Sequence, residues 1–125
     1  MAGQSRQAQR KLIYSGNRGS TREFSSFSRR DVELAGENLA SGKYTVVALY
    51  VGAEYLYLQT GSTADRRVTV NAGRPGPDEL RVFEIKCTDR QAIDWLLAMN
   101  DGTFAPNFSQ WKDITKQLQK QASKK

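Results

Sequence analysis

Lys43-Tyr-Thr-Val-Val-Ala-Leu-Tyr-Val51 and Glu54-Tyr-Leu-Tyr-Leu-Gln-Thr60, joined by Gly52-Ala53, decide how this chain is read. Both runs are rich in β-branched and aromatic residues, and a two-residue link with glycine first suits a type II′ turn. That turn fixes a register: Val51 faces Glu54, Tyr50 faces Tyr55, Leu49 faces Leu56, Ala48 faces Tyr57 and Val47 faces Leu58. Side chains alternate across a strand. One face therefore carries Val47, Leu49, Val51, Leu56 and Leu58, and reads as the core side. The other carries Tyr44, Val46, Ala48, Tyr50, Tyr55, Tyr57 and Gln59.

Downstream, Arg66–Asn71 reads as a third strand, with Val68 and Val70 inward and Arg67, Thr69 and Asn71 outward. Ala72–Asp78 holds two prolines and two glycines, and is expected to interrupt the ladder. Leu80–Cys87 reads as a fourth strand, with Phe83, Ile85 and Cys87 inward and Val82, Glu84 and Lys86 outward. The period then changes. Thr88-Asp-Arg-Gln91 is a capping box, Ala92, Ile93, Leu96, Leu97 and Met99 follow at helical spacing, and Gly102 supplies a stop. A second capping box at Asn107–Gln110 precedes the stripe Phe108, Trp111, Ile114 and Leu118, which predicts a second helix. Residues 31–42 are ambiguous: Val32, Leu34 and Leu39 could form an edge strand, whereas Ala35-Gly36 and Ser41-Gly42 argue for turns. The expectation is an α+β domain: an antiparallel sheet of four to five strands, then two C-terminal helices packed on its aliphatic face, with a basic N-terminal arm.

Working outward, charge is unevenly placed. Residues 1–30 hold seven basic residues and one acidic; residues 31–111 hold seven basic and eleven acidic; residues 112–125 hold five basic and one acidic. The +6 of the 125-residue chain thus belongs to its ends. Residues 1–30 are read as a polar arm, too poor in apolar residues to offset its own ordering entropy. Residues 31–120 are read as the domain, and 121–125 as a basic tail. The arm has three readings: a solubilising tail, a nucleic-acid or assembly arm, or an Arg- and Ser-rich mitochondrial import segment.

Composition narrows the function classes. With no histidine and one cysteine, there is no Ser-His or Cys-His nucleophile pair, no cysteine metal cluster and no internal disulfide. No apolar run is long enough to span a bilayer, and no secretory signal opens the chain. No cofactor, metal site or small-molecule substrate is expected. Glu84-x-Lys86 after Pro77-Asp78 is similar to the metal-dependent PD-(D/E)xK nucleases. Only five residues separate Asp78 from Glu84, which is short for that pattern, and Asp65, the alternative carboxylate, lacks the proline.

Tyrosines on a sheet with cations nearby are the parts of a single-strand platform: bases stack on rings while basic side chains neutralise phosphate. The reading is a non-enzymatic, oligomeric nucleic-acid-binding protein, for single-stranded RNA or DNA, acting in the cytoplasm or a virion. Its candidate contacts are Arg6, Arg10, Lys11, Arg18, Arg22, Arg29, Arg30, Tyr44, Tyr50, Tyr55, Tyr57, Arg67 and Lys86. The alternative is a self-assembling viral or phage coat or nucleocapsid protein, whose arm and tyrosine face make subunit contacts.

Overall fold

The central hairpin forms in the register that its turn dictates. All five expected pairs, from Val51 opposite Glu54 to Val47 opposite Leu58, are present. Gly52 has φ +63° and, among the described residues, no non-glycine residue has positive φ, as a type II′-like turn requires. The computed structural model describes residues 9–16, 20–60 and 67–118. Among these, seven strands form one antiparallel sheet: β1 (Arg10–Gly16), β2 (Thr21–Phe24), β3 (Tyr44–Val51), β4 (Glu54–Thr60), β5 (Val68–Pro75), β6 (Leu80–Cys87) and β7 (Lys112–Asp113). Their order is β2-β1-β3-β4-β5-β6-β7. Helix α1 (Arg29–Ala40) precedes β3, and α2 (Asp89–Asp101) follows β6. The fold is thus mixed α+β with the helices on the aliphatic face, but it differs from expectation at four places.

First, the folded region starts well before residue 31. β1 pairs with β3 over its whole length, and Leu12 is buried opposite Leu49. A strand covered on one side needs apolar residues only at alternate positions, and Leu12 and Tyr14 suffice. The arm reading is therefore corrected for residues 10–16 and 20–30; Arg6 and Arg18 lie outside the described residues, as do 121–125.

Second, residues 31–40 are helical rather than an edge strand, while Ser41-Gly42 form the expected turn. Ser28 caps α1: its hydroxyl accepts from the Asp31 amide, and Asp31 accepts from the Ser28 amide. Val32, Ala35 and Leu39 form the buried stripe. Gly36 lets α1 and α2 approach, since a Cβ there would sit 2.9 Å from Ile93 Cγ1. Replacing Ser28 by alanine removes one arm of the box and is expected to cost about 1 kcal/mol, checked by urea unfolding.

Third, β5 runs through Ala72-Gly-Arg-Pro75 and does not stop at Asn71. Gly73 pairs with both Tyr55 and Val82, and Pro75 ends the strand.

Fourth, α2 is capped by Thr88, whose hydroxyl accepts from the Gln91 amide, and by left-handed Gly102, but the expected second helix does not run unbroken from Phe108: its helical part begins at residue 115 and continues to 118, where the described residues end. Asn107 caps a single 3-10 turn, Phe108–Gln110. Trp111 is buried against Trp95, and Phe104 and Phe108 pack edge-on around it. The backbone beyond closes the edge of β6: the Ile114 amide donates to the Val82 carbonyl at 2.9 Å, and the Val82 amide donates to the Thr115 hydroxyl at 2.9 Å. A continuous helix would need those groups for itself. Asp113 accepts from the Thr115 amide and pairs with Arg81, and these contacts hold its carboxyl below the usual range.

The core lies between the sheet and the two helices, built on Leu12, Leu49, Leu56, Leu58, Val70 and Leu96. Cys87 packs at its margin, where burial pushes the thiol pKa up to about 11 from 9.0. The folded-state value is the raised one, so this contribution to stability is complete below pH 9 and is lost as pH rises through about 11. Thiol–disulfide exchange at pH 8 is accordingly expected to be much slower in the folded protein than in urea, measured with a chromogenic disulfide reagent.

Candidate nucleic-acid interface

Both helices pack on one side of the sheet, so the register alone defines the other side. Three rows cross it. The first is Lys11, Tyr50, Tyr55, Gly73 and Val82. The second is Ile13, Ala48, Tyr57, Asn71, Glu84 and Lys112. The third is Ser15, Val46, Gln59, Thr69 and Lys86. Tyr50, Tyr55 and Tyr57 are half-buried and none of them packs against the main core. They stand at the middle of this face, with lysines at its margins.

Tyr55 is the best-fixed ring. Its cross-strand partner is Gly73, and a Cβ on Gly73 would fall 2.0 Å from Tyr55 Cε2, so the ring lies directly over the glycine. This contact explains why a glycine sits inside a central strand. Tyr50 neighbours it, ring centres 5.3 Å apart and tilted by 35°. Burial raises the Tyr55 hydroxyl pKa and the adjacent Tyr50 adds to the effect, so Tyr55 presents a neutral ring near pH 7.

Tyr44 does not join them, which corrects the expected four-tyrosine face. Ser15 pairs with Val46 but Gly16 pairs with Tyr44, leaving Thr45 as a bulged residue whose hydroxyl donates to the Ser15 carbonyl. One extra residue reverses the alternation. Tyr44 therefore turns to the helix side and stacks on Tyr14, centres 4.3 Å apart and planes within 9°. With Leu12, Phe24, Phe27, Leu34 and Asn38, these rings line a cleft of about 350 Å³ between β1, β2 and α1.

The cations proposed from sequence are similarly divided. Arg10 is on the helix side, over the Phe27 ring at 4.4 Å and hydrogen-bonded to Asn100. Arg29 holds Asp101 with two contacts of 3.1 Å, and Arg30 pairs with Glu33 at 2.6 Å. All three have intramolecular structural roles and stand away from the tyrosines. Arg22 is exposed on the edge strand, opposite Tyr14. Lys11 is on the tyrosine face, paired with Glu23 at 3.3 Å. Lys86 shares that face, and Arg67 is exposed just before β5.

Sequence reading counted Lys112 only among the basic C-terminal residues and missed its place on the sheet, where β7 brings it opposite Glu84. The only signal would have been that residues 112–115 close a strand edge, which a helical reading hides. Of the nuclease pattern, Glu84 and Lys86 share the open face, but Asp78 lies in the turn between β5 and β6, about 13 Å along the strand by residue rise. Among the described residues, no group of three acidic or cysteine side chains is placed to hold a metal. Asp65 lies outside them. No helix among them is long and apolar enough to cross a membrane. Compared with protein-family models, curated proteins and solved structures, the chain matches none.

Proposed function

We propose that this is a non-enzymatic protein that binds single-stranded RNA or DNA on the open sheet face, in the cytoplasm or in a virion. The observation that carries the reading is the face that no described element covers: Tyr50, Tyr55 and Tyr57 in its middle and Lys11, Lys86 and Lys112 at its margins. Rings at strand spacing accept stacked bases without reading sequence, and marginal lysines neutralise the backbone that runs between them. Titrating a fluorescent oligo(U) or oligo(dT) across salt concentrations tests it. Affinity should fall linearly on a log–log plot, with a slope that counts phosphate contacts. Because β1 belongs to the sheet, the contribution of the basic N-terminus is tested by removing residues 1–8 only. No binding of either oligonucleotide at low salt would reject the reading.

A second reading, self-assembly as in a coat or nucleocapsid protein, is favoured by one separate observation: β2 is a sheet edge whose four residues are all exposed.

A further inference from the structure

We propose that two copies of this chain join edge to edge through β2, continuing the sheet across a two-fold axis at Glu23. This rests on the assembly reading and is independent of nucleic-acid binding. The two edges of the sheet are built differently. The β6 edge is closed by β7 and by the Ile114 and Thr115 contacts with Val82. The β2 edge is short and carries charge at Arg22 and Glu23, but it has no proline, no lysine, no bulge, and no covering element among the described residues.

Its free hydrogen-bonding groups follow from the hairpin. The Gly16 amide donates to the Ser20 carbonyl at 3.1 Å, so 16 and 20 form a hydrogen-bonded pair. Alternation makes 14/22 and 12/24 bonded pairs too, and leaves 15/21 and 13/23 as the non-bonded ones. The 2.9 Å approach of the Ser15 and Thr21 hydroxyls fits the closer spacing of a non-bonded pair. The amides and carbonyls of Thr21 and Glu23 therefore point away from β1, into the open edge.

A two-fold axis normal to the sheet keeps the helix side on the helix side, so only residues of like facing can oppose. Centring it on Arg22 would set guanidinium against guanidinium. Centring it on Glu23 gives a reciprocal pair of backbone bonds between the two Glu23 residues and places Arg22 of one copy against the Phe24 ring of the other, twice. This register also sets the two Glu23 carboxylates opposite one another, and that like-charge pair is offset by each residue's own Lys11 at 3.3 Å. Phe24 and Leu34, 37% and 39% exposed, flank this edge on the helix side. Across the axis the two Phe24 rings are diagonal neighbours, within reach of each other. The edge thus offers both unpaired backbone and apolar surface, and its own copy complements both.

Light scattering over a concentration series tests the proposal. The natural chain is expected to reach twice its 14.0 kDa mass as concentration rises through the micromolar range. Glu23→Pro deletes an amide that the fold itself does not use, so it should leave the melting temperature within a few degrees and abolish the dimer. Arg22→Pro removes an amide bonded to β1 and should destabilise the monomer instead. In a Cys87→Ala chain, Glu23→Cys should cross-link on mild oxidation, since opposed residues lie within disulfide range. A natural chain that stays monomeric overturns both the assembly reading and this edge. An oligomer that Glu23→Pro leaves intact, or a Glu23→Cys chain that does not cross-link, overturns the β2 edge while sparing assembly.

Discussion

Replacing Leu56 by alanine is expected to remove about 2–5 kcal/mol of folding stability, a large part of the roughly 5–15 kcal/mol available to a domain of this size. Leu56 is fully buried on β4, with Leu49 opposite it on β3 and Ala72 opposite it on β5. It has rigid sheet on both sides and helices above, so the site cannot collapse to fill the lost volume, and the cavity penalty adds to the transfer penalty. In thermal unfolding the midpoint should drop by about 10 °C or more. Urea unfolding should show a lower midpoint at an unchanged slope, because the surface exposed on unfolding is the same. A loss below about 1 kcal/mol would mean that the helices do not press on this face.

Exchanging Tyr50 and Tyr57 together for alanine should weaken single-strand binding by roughly 30-fold or more, from about 1–3 kcal/mol of stacking per ring. Tyr57 follows Leu56 directly in the chain but faces the opposite side of the sheet, so the two experiments separate folding from binding at adjacent residues. The double exchange should leave the salt slope unchanged, since that slope counts phosphates and not bases. Lys86→Gln with Lys112→Gln should do the reverse: a shallower slope by about two, with a smaller loss at high salt. Tyr55 is left out of the double exchange because its ring covers Gly73, and its removal would also alter the sheet. If the tyrosine exchange changed affinity less than twofold while the lysine exchange abolished it, stacking would be rejected and simple charge attraction would remain.

Much of this architecture is legible in the sequence because its causes are local. Gly52 in a two-residue turn sets the pairing of β3 with β4, and a period of two then sorts Leu56 from Tyr57. Thr88, Gln91 and Gly102 mark α2 through the backbone groups that its ends leave unsatisfied. The remainder was not legible because its causes lie elsewhere in the molecule. Gly36 resembles a turn residue, yet it serves the close approach of Ile93 from α2. Gly73 and Pro75 look like a break in a strand, yet Gly73 sits in the ladder beneath Tyr55. Residues 10–16 look too polar to fold, yet one face of the strand is all that the core covers.

Which side of the central hairpin is core, and that the positive charge lies at the chain's ends, can thus be read from local pattern alone. Which cations and rings share a surface depends on how distant strands and helices come together. A single bulge at Thr45 withdraws Tyr44 from the tyrosine face, an ion pair between helix ends engages Arg29, and one within α1 engages Arg30. Pairing at the β6 edge brings Lys112 in. The physical reason is that alternation is counted along one strand, whereas a surface is assembled across several, and each bulge or edge contact resets the count.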